Sequence, residues 1–329
     1  MSHEITVRPS PRPRALASVI TAGKSVLLSL VILTSLGAGR TIAQTSFRLD
    51  DSADDSSGAP TLAETEAAAE HTKFTLWERV PLTEPISTDR PDFTESTDAV
   101  PLGHLQLETG YTFTYDREKG DRTRTHTAPE FLLRVGLMKN FELRLAWAGY
   151  TWAHQASSEG NWGRRSATSD GWEQGGHDFS VGFKYKFWEQ DGLLPHFGVI
   201  GAIRTPSGSA NVSSGDVDPE VVLLWAYDLT DAVSVAGNVV LAAPTEDGHR
   251  FFQTAASLAL AVALTDRLGT YVEYYGFYPN AHHSDCAHTL NGGFTYLITN
   301  DLQLDIYSGF GLNEEADDLL AGVGLSWRW

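Results

Sequence analysis

A chain of 329 residues with 42% hydrophobic residues, a mean hydropathy of -0.20 and a net charge of -18 has no room for several apolar membrane helices. The acidic balance argues against nucleic acid as a partner, because phosphate binding needs basic patches. The single cysteine, Cys286, excludes an internal disulfide framework.

Residues 1–43 read as a signal peptide. Arg8, Arg12, Arg14 and Lys24 precede an apolar run from Ser25 to Ala38, and Thr41-Ile42-Ala43 offers a cleavage site after Ala43. The run is short for a bilayer span, although an anchored N-terminal helix is the alternative. Residues 44–83 read as a disordered acidic periplasmic tail, with Asp50, Asp51, Asp54, Asp55, Glu64, Glu66 and Glu70 among small residues. A short helix over Leu62 to Ala69 is compatible with it. From Phe74 to Pro101, prolines at 81, 85, 91 and 101 forbid a long helix or a central strand. Within this stretch, residues 84–103 form a lead-in or plug segment that is ordered only if something holds it.

From 104 to 329 about twelve stretches alternate apolar and polar residues. The expected strands are His104–Tyr115, Thr125–Leu137, Phe141–Trp152, His177–Phe187, Leu194–Arg204 and Pro219–Tyr227. They continue with Ala232–Ala242, Phe252–Leu264, Leu268–Tyr278, Ala287–Ile298, Leu302–Leu312 and Leu319–Trp329. The fourth is the clearest: Phe179, Val181, Phe183, Tyr185 and Phe187 alternate with Asp178, Ser180, Gly182, Lys184 and Lys186. Lysines set between aromatics cannot face lipid and must look into a wet lumen. Ala255, Ser257, Ala259 and Ala261 give the eighth strand a small inner face with room for something bulky.

Connections after even strands are tight and most of those after odd strands are longer, notably Ala153 to Gly176 and Thr205 to Asp218. That asymmetry, with apolar faces repeated twelve times, predicts an all-β fold: a transmembrane antiparallel up-and-down β-barrel of the outer membrane, closed because an open edge in hydrocarbon is costly. An even strand count puts both termini in the periplasm. A two-sheet sandwich would not need the alternation of loop lengths.

The segment Ser87-Thr88-Asp89-Arg90-Pro91-Asp92-Phe93-Thr94-Glu95-Ser96, followed by Val100-Pro101-Leu102-Gly103-His104-Leu105-Gln106-Leu107-Glu108, resembles the opening signature of a bacterial family. That family is described as outer-membrane transporters and is named for the meta-pathway of phenol degradation. Gly176-His177-Asp178, Thr205-Pro206-Ser207-Gly208 and the closing Gly-rich strand also resemble it, so the likeness covers roughly residues 84 to 329. The resemblance implies a transport-type barrel, with aromatic or hydrocarbon-like solutes as one possibility, and carries over no catalytic residues. The terminal Trp329 resembles the aromatic C-terminus read by the barrel-insertion machinery; it also suits an interface belt.

Candidate lumen and transport residues follow from the inward phase and the lead-in: Asp89, Arg90, Asp92, Glu95, Glu108, Glu130, Arg134, Arg144, Lys184, Arg204, Glu220, Glu273 and Asp305. Glu142, Asp178, Lys186 and Arg328 share that phase. Twelve strands enclose a narrow bore, so these side chains can meet across it as a salt-bridged network, or remain unpaired and bias ion selectivity. Asp89, Arg90, Asp92 and Glu95 either plug the lumen or simply fix the first strand. Tyr111, Phe113, Tyr115, Trp147, Phe187, Trp225, Tyr227, Tyr274, Phe294, Tyr296 and Trp329 read as lipid-facing girdle. Tyr150, Trp152, Tyr271, Tyr275 and Phe277 fall in the inward phase and suit stacking of an aromatic solute. Trp162 and Trp172 are placed to fold over the mouth.

His282, His283, Asp285, Cys286 and His288 share a loop, but without a paired Cys motif they read as a solvated cluster and not a metal site. No Gly-x-Ser-x-Gly elbow, phosphate loop or dinucleotide fingerprint occurs. Ser308 is outward without a flanking base, so catalysis is not expected, and neither is a cofactor or a metal. The reading is an outer-membrane channel for passive or facilitated passage of a small solute, with membrane lipid and that solute as partners. A sealed structural or adhesive barrel is the alternative, and an outer-membrane lipid hydrolase a weaker one.

Overall fold

The computed structural model describes residues 79–118, 121–157, 170–246, 248–280 and 285–329. The expected signal peptide, the tail as far as residue 78, Trp162, His282 and His283 lie outside these residues.

Sixteen strands carry the fold: β1 (Leu105–Glu118), β2 (Asp121–Met138), β3 (Phe141–Trp147), β4 (Tyr150–Ser157), β5 (Asp170–Gly176), β6 (Phe179–Trp188), β7 (His196–Arg204), β8 (Asp218–Thr230), β9 (Val233–Ala242), β10 (Thr245–Glu246), β11 (His249–Arg250), β12 (Gln253–Ala263), β13 (Leu268–Pro279), β14 (Ala287–Thr299), β15 (Leu302–Gly311) and β16 (Leu319–Arg328). β10 and β11 form a small hairpin between β9 and β12. β3 and β4 are halves of one staves-length strand, as are β5 and β6, which gives twelve staves in a closed antiparallel barrel. Closure comes from β1 pairing with both β2 and β16. Leu105 and Trp329 exchange backbone hydrogen bonds at the seam.

The alternation of the sequence becomes an inside-out distribution of polarity. Phe183, Val181 and Ile306 stand outward at 40%, 48% and 55% exposure, while Glu108, Arg134, Glu142 and Lys184 are 0% exposed. A water-soluble sandwich would show the reverse. A barrel in lipid requires this order, since only its lumen can hold charge.

Two expectations need correction. The third strand does not run evenly to Trp152: it breaks at Ala148-Gly149, where Gly149 takes φ +97°, and resumes as β4 in the opposite phase. Tyr150 and Trp152 therefore face outward, in register with the outward His126 side of β2, and stack on each other at 4.9 Å. The expected long loop from Ala153 to Gly176 is in large part the β4–β5 hairpin. Trp172 sits on its outer face against His154, 66% exposed, and does not cover the mouth.

Candidate functional site

The lead-in segment enters the barrel at the rim of short turns, loops through the lumen and returns to the same rim. Its entry is pinned where Ile86 N donates to Asn300 O at 2.7 Å and Arg328 Nη2 donates to Glu84 O at 2.7 Å. Its exit is pinned where Gly103 N donates to Gly136 O at 2.9 Å. Gly136 is required there: a Cβ would run into the backbone carbonyls of Val100 and Pro101.

Asp89 is the centre of the site. Its carboxylate accepts from Lys184 Nζ at 2.7 and 2.8 Å, from Arg144 Nη1 at 2.6 Å and from Ser96 N at 3.0 Å, and Arg134 lies at 3.4 Å. Burial would push this carboxyl upward, but Arg134, Lys184 and Arg144 together hold it well below the usual carboxylate range. Around it, Arg134 Nη1 donates to Glu108 at 3.0 Å and Arg134 Nε to Glu142 at 2.8 Å. Arg144 reaches both Glu142 at 2.9 Å and Glu95 at 2.6 Å. The wall also satisfies the segment's backbone: Asp89 N donates to Glu108, Val100 N to Glu142, and Arg134 donates to the carbonyls of Ser87 and Asp98. Lys186 closes the lower edge on Asp98 at 2.8 Å.

The segment crosses to the opposite wall as well. Glu273 on β13 accepts from Phe93 N at 2.8 Å, and from Thr94 N and Thr94 Oγ1 at 2.6 Å each. Asn291 orients that carboxylate at 2.9 Å. The small inner face of β12 is filled here: Thr94 Oγ1 meets Ser257 Oγ at 2.7 Å. Phe93 stacks on Tyr275 at 4.7 Å and packs edge-on to Phe277. It also touches an apolar patch of the inner wall made by Ile200, Val222, Leu224, Val240 and Ala255.

Arg90 points to a third side, pairing with Glu130 at 2.8 Å and Asp305 at 3.5 Å. The closing strand is glycine-rich at this level for a steric reason: a Cβ at Gly324, or at Gly110 beside it, would occupy the Arg90 guanidinium. Asp92 sits at the tip of the loop, and burial together with the charges of Glu273 and Asp89 pushes its carboxyl well above the ordinary value.

All thirteen candidate residues therefore face the lumen, but they do not form one network. Asp89, Glu95, Glu108, Arg134, Arg144 and Lys184 share one chain of ion pairs, Arg90 pairs apart from it with Glu130 and Asp305, and Glu273 acts separately as a backbone receptor. Arg204 and Glu220 line open cavity, where no ion pair within 4 Å joins either to a described residue. Phe93, Thr94 and the apolar inner patch were not anticipated. Their signal was present: the stretch Val221-Val222-Leu223-Leu224 is apolar on both faces, unlike the charged inner faces of the early strands. Among the described residues there is no group of His, Cys, Asp and Glu arranged for a metal ion.

Three cavities flank the loop. Two, of about 300 and 550 Å³, open toward the long-loop side and share Glu95, Arg204 and Glu220. The third, of about 360 Å³, lies toward the short-turn rim and is walled by Ser234, Ala261, Ala263, Gly269 and Tyr271. Arg90 lines the third cavity and one upper cavity; Asp92 lines the third and the other.

A family model described as "Putative MetA-pathway of phenol degradation" matches residues 88–329. The chain belongs to this family. An outer-membrane channel from Pseudomonas putida F1 shares its fold at 13% identity, with a TM-score of 0.50, covering 71% of this chain and 98% of that one. A NanC porin (11% identity, TM-score 0.39, 68% and 98% covered) and the CymD monoaromatic hydrocarbon channel (10%, 0.37, 68% and 87%) are more distant and carry no argument. No curated protein matches the sequence. As a closed barrel of this family the protein resides in the outer membrane.

Proposed function

We propose that this family member is a passive channel in which the 84–103 loop constricts the lumen and selects small, weakly charged solutes, aromatic ones included. The observation that carries the reading is the placement of the Arg90-Pro91-Asp92 tip between the cavity on the short-turn side and those on the long-loop side. A solute that slips past the tip moves from one aqueous compartment to the other without crossing the ion-paired wall. The route of least obstruction runs along β9, β12 and β13, where Ser234, Ala261 and Gly269 leave space. Aromatic rings at Phe93, Tyr271, Tyr275 and Phe277 offer a stacking surface beside that route. No nucleotide or metal enters the scheme; flux follows the solute gradient. Export by the N-terminal 1–43 segment and recognition of Trp329 by insertion machinery belong to the same proposal.

Planar-bilayer recording tests it. Discrete conductance steps are expected from the refolded protein, and deletion of residues 84–100 is expected to enlarge them. A silent barrel that stays silent after the deletion would remove the channel reading. The tethering of the loop to opposite walls, through Asp89 and through Glu273, favours a second reading in which the lumen is sealed and the barrel is structural. Silence in the wild type with large steps after the deletion would select it.

A further inference from the structure

The outer face of the barrel carries a basic cluster that the channel reading does not use. At the long-loop end of β1 and β2, Phe113 is in register with His126, Tyr115 with Arg124, and Arg117 with Arg122. β4 continues the same face, with Trp152 beside His126 and His154 beside Arg124. Phe113 and Tyr115 belong to the outward face, so Arg117, Arg122, Arg124 and His126 point away from the lumen. The three arginines are exposed. The acidic residues of this hairpin, Asp116, Glu118 and Asp121, fall on the alternate face.

The arrangement is unfavourable for the barrel alone. Arg117 and Arg122 oppose each other directly across the ladder, where like charges destabilise a pair. Arg124 follows two residues away on the same face. No ion pair within 4 Å links any of the three to a described residue, although the chain as a whole carries a charge of -18. An anion with several acceptor oxygens between the guanidiniums would turn this repulsion into bidentate hydrogen bonding.

Height along the wall identifies the source of that anion. Trp327 is in register with Leu107 near the short-turn rim, and Arg117 is ten residues further along β1. At a rise of about 3.3 Å per residue and a tilt of about 40°, that is roughly 25 Å, the height of the apolar band of such a barrel. Below the arginines lie the aromatic rings of Tyr111 and Phe113, which pack on His126. Tyr111 Oη and His126 Nδ1 are 2.7 Å apart. The guanidiniums thus sit at the headgroup level of the outer leaflet, directly above an aromatic belt that lodges acyl chains.

We propose that this face is a docking site for the phosphorylated headgroup of an outer-leaflet glycolipid of the lipid A type. It holds one phosphate between Arg117 and Arg122, with Arg124 and His126 on its membrane side. The site does not depend on whether the lumen conducts.

Native mass spectrometry of the refolded full-length protein tests it, with bisphosphorylated lipid A and the same lipid stripped of both phosphates as probes. Wild type is expected to bind the phosphorylated lipid at least tenfold more tightly. R117Q/R122Q/R124Q is expected to lose that preference, and R122Q alone to lose part of it. K139Q/R267Q, which changes exposed cations at the opposite rim, is expected to keep it. Heat-modifiable gel mobility confirms that each variant is a folded barrel. Equal binding of the two lipids by wild type, or an undiminished preference in the triple variant, overturns the proposal. Millimolar inorganic phosphate displacing the lipid completely also overturns it, in favour of a soluble anion.

Discussion

Replacing Asp89 by Asn tests the constriction most directly. The carboxylate is 3% exposed and neutralises Lys184 at 2.7 Å and Arg144 at 2.6 Å, with Arg134 at 3.4 Å. Lys184 and Arg134 have no solvent to turn to, at 0% and 1% side-chain exposure. Removing one partner of a buried ion pair costs about 3–5 kcal/mol. Asparagine keeps an acceptor oxygen for one donor, so the lower end, about 3 kcal/mol, is the working figure for Asp89→Asn. Borne by the docked loop, this shifts its docked-to-released equilibrium by roughly 10²-fold. In planar bilayers the wild type is expected to show brief openings to a large conductance level, and Asp89→Asn to spend about a hundredfold more time there. The barrel itself stays closed, because the strand pairing is untouched. A folded Asp89→Asn protein with wild-type open time and conductance would refute the claim that this ion-pair centre holds the loop.

Asp92→Asn is the contrasting case: burial and neighbouring carboxylates favour the uncharged acid at this position, so a neutral isostere is expected to change open time less than twofold. Glu273→Gln places an amide against two backbone N–H donors, costing about 1–3 kcal/mol, and is expected to loosen the far side of the loop and raise open time about tenfold. The pH response follows Asp89: a carboxyl held below its unfolded value of about 3.9 adds stability above that value and loses it as pH falls further. Open time is therefore expected to rise below about pH 4 in the wild type, with that acid response absent in Asp89→Asn. Burial holds the Glu95 carboxyl up at about 7, so a change near neutrality reports Glu95, and a wild-type acid response that persists in Asp89→Asn would refute the assignment to Asp89. Reversal potentials are expected to show cation preference, because Asp218 and Glu220 line the cavity of about 550 Å³ with Arg204 as its one cation, and anion preference would contradict this charge map.

The barrel was legible in the sequence because one physical rule writes it repeatedly. In lipid every second strand residue must be apolar and every backbone group must be paired. The run from Phe179 to Phe187 obeys that rule so strictly that its phase, its lumen lysines and its membrane setting follow from the residues alone. The charged candidates were legible for the same reason, since Glu108, Arg134 and Glu142 cannot stand in the outward phase. Where the period slips, reading failed: Gly149 takes a positive φ that resets the phase, so Tyr150 and Trp152 turn outward although simple alternation places them inward. Periodicity also says nothing about which lumen charges meet. Asp89 lies 95 residues from Lys184, and Thr94 lies 179 residues from Glu273. Only closure of the barrel brings these distant residues to hydrogen-bonding range around the loop. Sequence thus determined the container and the chemistry of its lining, through rules local to each strand. Tertiary structure decided that the loop lies inside, which wall each of its charges meets, and where open space remains, because those depend on contacts that local pattern does not encode.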